Sequence, residues 1–189
     1  MTREKADMPY LFTNIRQPVT DYLVIPSVSS ERRRYVPIGY LDSNTIATNL
    51  VLIVPDAELY HFAVLTSNVH MAWMRAFGGR LKSDYRYSGK IVFNNFPWPE
   101  LDEEYRTILI RSGQEILKAR EKYPDASFAD LYDELTMPVE LRKAHQANDI
   151  AVMKAYGMIK KVDGKDTFLT ESETVARLFE MYQELTEKK

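Results

Sequence analysis

Asn94–Pro99, NNFPWP, is where the chain changes character. Two prolines flanking an aromatic residue cannot continue a helix, and they cannot sit in a central strand, because each lacks a backbone donor and fixes φ. A boundary placed there divides the chain into residues 1–99 and residues 100–189. The two sides have different sequence periods.

Upstream, the text reads as strands with one helix. Asp21–Pro26 (DYLVIP) and Tyr35–Leu41 (YVPIGYL) are short β-branched and aromatic runs bounded by proline and serine. Thr45–Val54 (TIATNLVLIV) ends in a nearly continuous apolar stretch, the pattern of a strand covered on both faces. From Asp56 the period becomes helical, with Leu59, Phe62, Ala63, Val69, Trp73, Met74 and Phe77 close to one stripe. Asp56 is expected as its N-cap and Gly78-Gly79 as its stop. Residues 85–93 (YRYSGKIVF) return to strand or hairpin character.

Downstream, helices are expected over Glu100–Lys122, whose first turn is acidic, and over Ser127–Tyr132 and Pro138–Tyr156. Lys160–Phe168 (KKVDGKDTF) carries Asp-Gly and reads as an exposed loop or tight hairpin. Thr170–Glu187 closes the chain with a helix that opens on a capping-box-like TESE. The expected fold class is α+β, a mixed, strand-rich domain followed by a small helical bundle.

Composition bounds the function. Apolar content of 45% and charged content of 28% are ordinary for a globular protein. No apolar run approaches the roughly 20 residues of a bilayer span, and Met1–Tyr10 lacks the apolar core of a secretory signal, so a cytoplasmic protein is expected. The absence of cysteine removes disulfides, thiolate metal sites and thiol nucleophiles. The net charge of −2 conceals an asymmetry: residues 1–99 hold 11 Lys/Arg against 8 Asp/Glu, and residues 100–189 hold 14 against 19. Phosphate contacts need cations only on the docking face, so the first half permits nucleic-acid binding.

Catalytic constellations are not visible. His61, His70 and His145 are isolated, without metal-ligand spacing. No glycine-rich nucleotide loop and no nucleophile elbow occurs. Asn95-Phe96-Pro97-Trp98 resembles the Asn-Pro-Pro-aromatic loop in which amino-methyltransferases hold an extruded base, but Phe96 replaces the first proline and no cofactor-binding strand precedes it. A degenerate methyltransferase pocket around Asn95 and Trp98 is one alternative; a rigid junction is the blander one.

Gly79–Lys90, GRLKSDYRYSGK, packs Arg80, Lys82, Arg86 and Lys90 around Tyr85 and Tyr87. Basic groups interleaved with aromatics suit a surface that follows phosphates into a groove. On an extended backbone Lys82 and Asp84 fall on one side. A lysine donates to guanine O6/N7 and an aspartate accepts from cytosine N4, so the pair could read both edges of one G·C pair. An exposed loop with a weak ion pair is the competing view. A second cluster, Arg32, Arg33 and Arg34 within SVSSERRRY, sets three guanidiniums beside serine hydroxyls, either as phosphate contacts or as a solvated turn.

Taken in order, Asp21–Arg33, Tyr35–Leu41, Asn68–Arg75 (NVHMAWMR), Gly79–Ser88, Asn94–Pro99 and Leu131–Tyr156 resemble the C-terminal part of the MmeI-like (type IIL) restriction–modification enzymes, the resemblance spanning residues 10 to 185. The resemblance implies a target recognition domain (1–99) and a helical C-terminal domain (100–189). It implies an adenine-N6 methyltransferase core and a nuclease upstream, with Met1 opening a fragment or a split product. The partners it implies are double-stranded DNA and those upstream domains. It implies no catalytic residue, metal or cofactor for this chain, S-adenosylmethionine and Mg2+ belonging to the intact enzyme. It assigns Lys82 and Asp84 to base reading, and leaves Arg32, Arg33, Arg34, Arg80, Tyr85, Arg86, Tyr87 and Lys90 as backbone or groove contacts. A module that binds only protein, through its acidic helical half, is the remaining alternative.

Overall fold

The computed structural model describes residues 17–187. The elements run β1 (Tyr22–Pro26), β2 (Val28–Ser29), β3 (Gly39–Leu41), β4 (Val51–Pro55), α1 (Leu59–Leu65), α2 (Asn68–Phe77), β5 (Gly79–Leu81), β6 (Asp84–Arg86), a π-helical turn (Gly89–Phe93), α3 (Glu103–Glu121), α4 (Phe128–Leu131), α5 (Val139–Ala155), β7 (Ile159–Val162), β8 (Lys165–Phe168) and α6 (Glu171–Glu187). This is an α+β fold. No helix among the described residues is long and apolar enough to cross a membrane.

Three small antiparallel sheets form. β1 lies between β3 and β4, and its Tyr22, Leu23 and Ile25 are fully buried. One residue later the same chain enters a second sheet, in which β6 lies between β2 and β5. Ser27 joins the two, its N–H donating to the Leu50 carbonyl at 2.8 Å and its carbonyl accepting from Tyr87 at 2.9 Å. β7 and β8 pair by themselves across Asp163-Gly164, both in the left-handed region that a tight Asp-Gly turn demands.

Several local expectations change. The strand expected over Thr45–Val54 begins only at Val51 and is half-exposed; Asp42–Leu50 is a loop that leaves Ile46 71% and Leu50 68% exposed. Side chains hold that loop out of the sheet. The Asp42 carboxylate accepts from Asn44 N–H and the Thr45 hydroxyl, and the Gln17 amide donates to the Ser43 and Thr45 carbonyls. Of Tyr35–Leu41, only the last three residues pair as a strand. The single helix expected from Asp56 is two helices, broken at Thr66-Ser67, whose hydroxyls donate to the Phe62 and Val64 carbonyls. Ser67 then caps α2 by accepting from His70 N–H. Asp56 is not the N-cap: it has φ of 54° and precedes α1, whose cap is Glu58. Gly78 is extended rather than left-handed, so α2 passes straight into β5.

Helices from the two sides of NNFPWP pack together. α3 lies against α1 and α5, and α6 lies against α2. One apolar cluster runs from Leu23 and Ile25 through Phe62, Val69 and Met74 to Leu109, Val152 and Leu178. Gly113 lets α3 approach α1 closely, since a Cβ there would lie 2.9 Å from the Leu59 carbonyl oxygen. The junction is part of this core: Phe96 is buried, and the Tyr156 hydroxyl donates to the Pro97 carbonyl at 3.0 Å.

Candidate nucleic-acid interface

β5 and β6 form a hairpin whose two-residue turn is Lys82-Ser83, with Leu81 paired to Asp84. Lys82 has φ of 57°, a conformation that disfavours a residue with a Cβ. Its side chain is exposed at the tip. The expectation of an extended Lys-x-Asp run is therefore corrected: Lys82 belongs to the turn, and Asp84 opens the returning strand.

Strand alternation sorts the rest of the hairpin. Along β6 and beyond, Tyr85 and Tyr87 face inward, 7% and 6% exposed, while Arg86 faces outward. The tyrosines, expected as groove contacts, are turned toward the interior. Tyr87 shares a 2.8 Å hydrogen bond with His70 Nε2 in the core. Burial raises the Tyr87 hydroxyl and pulls His70 down to about 3, so both are neutral. Tyr85 lies under Arg80, whose guanidinium sits 3.9 Å over the ring and donates to the Ser83 carbonyl at 2.9 Å. Arg80 thus braces the tip from below.

The arginine cluster lies beside this hairpin. β2 pairs with β6, Ser29 opposite Tyr85, so the chain leaving β2 emerges along the hairpin. It turns at Ser30, whose carbonyl accepts from Arg33 N–H at 3.1 Å. The turn is fastened to the hairpin by the Asp84 carboxylate, which accepts from Glu31 N–H at 3.3 Å. Arg32 and Arg34 are exposed and Arg33 is half-buried. Among the described residues, none of Arg32, Arg33, Arg34, Lys82 and Arg86 has a carboxylate ion-pair partner. Two basic clusters 50 residues apart in sequence (Arg32 to Lys82) therefore share one surface. Lys90 is exposed on the π-helical turn, whose Gly89 packs against Leu52 of β4.

The Asn95 amide donates to the Lys90 and Ile91 carbonyls, closing the π-helical turn. Trp98 packs edge-on against His61, Phe93 and Phe96. Both side chains hold the junction together. Among the described residues, no group of three or more His, Asp or Glu is placed to hold a metal ion.

Sequence reasoning missed a buried network behind the arginine turn. Tyr35, 1% exposed, stacks on His145 with ring centroids 4.2 Å apart and donates its hydroxyl to Asp149 at 2.7 Å. The other Asp149 oxygen accepts from Asn68 N–H, at the start of α2, at 2.7 Å. Arg120 of α3 donates to the Ile38 carbonyl at 2.7 Å and to the Tyr132 hydroxyl, which is bonded in turn to His145 Nε2 at 2.8 Å. Burial raises Asp149 to about 6, and burial with the nearby Arg120 charge pulls His145 down to about 3. A lone His and Asp on a long helix carry no sequence signal of this.

A basic hairpin and an arginine turn thus lie side by side on a small sheet, backed by helices. The family profile described as the MmeI target recognition domain matches residues 1–100, and that of the MmeI C-terminal domain matches residues 104–188. The chain belongs to the MmeI family and comprises these two domains. It is 38% identical, over 187 residues, to DNA methyltransferase A of Bacillus subtilis (strain 168), covering 99% of this chain and 20% of that protein. It also matches the structure of the type IIL restriction–modification enzyme MmeI in complex with DNA, with a TM-score of 0.87 and 46% identity over 98% of this chain and 24% of that one. The chain thus spans a fifth to a quarter of the length of these relatives.

Proposed function

We propose that the chain docks on duplex DNA through the Ser30–Arg34 turn and the β5–β6 hairpin, and reads one G·C pair with Lys82 and Asp84. The observation that carries this is the Asp84–Glu31 link, which sets exposed guanidiniums, without a carboxylate partner among the described residues, beside an exposed lysine at a hairpin tip. The tip is narrow enough for a major groove, and flanking cations are what phosphates on either side require. Lys82 donates to guanine, and the Asp84 oxygen not held by Glu31 accepts from cytosine. Arg32, Arg33, Arg34 and Arg86 hold the backbone, while Arg80, Tyr85 and Tyr87 keep the hairpin stiff.

The work is divided at the 99/100 boundary, residues 1–99 touching DNA and residues 100–189 backing them. Adenine-N6 methylation, S-adenosylmethionine and Mg2+ belong, on the family resemblance, to other domains of a restriction–modification methyltransferase, and no step here passes through them. The relative solved with DNA supports the choice of partner. Binding of the complete enzyme to a duplex, titrated with salt, tests the docking surface: affinity should fall steeply and linearly on a log–log scale, and a flat response rejects it.

A further inference from the structure

We infer that Tyr35 and Asp149 are positioning residues, through which the helical half sets the arginine turn and the reading hairpin in register with each other. The inference rests on the recognition reading above. Asp149 stands on α5, yet its two oxygens hold the two elements that lead to the DNA-facing groups. One accepts from Tyr35, the residue directly after Arg34. The other accepts from the first N–H of α2, and α2 runs without a loop into β5 and the Lys82 turn. A single carboxylate thereby spans from the base of one cluster to the base of the other.

The surroundings make this a rigid connection. Arg120 grips the Ile38 carbonyl, so the Tyr35–Ile38 segment is held from both α3 and α5. His145 stacks on the Tyr35 ring and fixes the hydroxyl's direction. Asp149 is 5% exposed and has no ion-pair partner among the described residues. A buried carboxylate with no cation in ion-pair contact among the described residues, only Arg34 and Arg75 acting at longer range, is expensive, and apolar packing would stabilise α5 more cheaply. What apolar packing would not supply is a directional link to two separate backbone segments.

The test uses the complete enzyme and synthetic duplexes carrying its methylation target or single-base changes of it. Tyr35→Phe keeps the ring on His145 and removes only the hydroxyl. It is expected to lower the ratio of target to near-target affinity about tenfold and to make the salt slope shallower by about 1 as a phosphate contact is lost. Asp149→Asn, which retains both hydrogen bonds once the Tyr35 hydroxyl turns to accept, should behave as wild type. Asp149→Ser, too short to reach both partners, is the second variant and should follow Tyr35→Phe. A folded Tyr35→Phe or Asp149→Ser enzyme with unchanged ratio and slope overturns the inference. So does an Asp149→Asn enzyme as impaired as Tyr35→Phe, or failure of both disruptive variants to fold, which would make the link one of stability alone. Lys82→Ala and Arg32→Ala/Arg33→Ala run alongside: if these too leave binding unchanged, the recognition reading itself fails, and if only these lower it, the positioning role alone falls.

Discussion

The Asp84 carboxylate accepts a hydrogen bond from the backbone of Glu31, so the residue proposed to read a base also fastens the arginine turn. The double change Lys82→Glu with Asp84→Arg should exchange the preferred base pair at one position of the methylated sequence, because donor and acceptor swap sides. It should also lower overall affinity by about two- to fivefold, since Glu31 N–H loses its partner. Sequencing of methylated sites checks the first effect, and an unaltered preference would reject base reading by this pair.

Arg32→Ala with Arg33→Ala should weaken binding to every duplex alike. The salt slope should fall by about 1 for each phosphate contact removed, with discrimination intact. Fluorescence titrations on target and unrelated duplexes separate this from Lys82→Ala, which should flatten the difference between them.

The helical second half was legible in sequence because its signals are local. The acidic start of α3, the Asp-Gly turn of β7–β8 and Gly157, at φ of 63° after α5, each act within a few residues. The recognition half was less so. Asp42 and Gln17 hold the Asp42–Leu50 loop by contacts across as many as 28 residues, so Thr45–Leu50, read as the first part of a strand, stays outside the sheet and only Val51–Pro55 pairs. Lys82 and the arginine cluster could be nominated from charge and family resemblance, but their common surface depends on β2 pairing with β6. Tyr85 and Tyr87 look like contact residues in the text and are buried because strand alternation turns them inward.

Lys82→Gly isolates the conformational demand of the tip. Glycine tolerates the left-handed φ that lysine adopts at a cost of about 1 kcal/mol, which offsets glycine's larger entropy loss on folding. Unfolding by urea should show stability no lower than wild type, while discrimination at the read position is lost.

Acid should destabilise the fold along a shallow slope. His70 and His145 are held at about 3 against 6.5, so they bind protons only on unfolding; their contribution is full above pH 6.5 and lost as pH falls. Asp149 is raised from 3.8 to about 6, so its contribution is present below the lower value and lost as pH rises through the upper one. Between these limits two histidines oppose one carboxyl, leaving a net uptake of one proton on unfolding, so stability falls as pH falls. Asp149→Asn removes the opposing group and should steepen that slope about twofold, measured as urea unfolding from pH 4 to 6.

Gly113→Ala should destabilise the chain despite the better helix propensity of alanine. The propensity gain is about 1 kcal/mol, whereas forcing α1 and α3 apart at a backbone carbonyl costs roughly 1–3 kcal/mol. A rise in thermal midpoint would show that the two helices can part freely.

The apolar cluster that crosses NNFPWP limits what can be transplanted between relatives. A crossover placed at the prolines would join α1 and α2 from one parent to α3, α5 and α6 from another, and contacts along that seam would be mismatched wherever the parents differ. The portable unit is smaller, the outward residues of the hairpin and the turn, which can be exchanged while the interior is inherited whole. New specificities in such a scaffold would then accumulate by point changes on a fixed frame rather than by shuffling of domains.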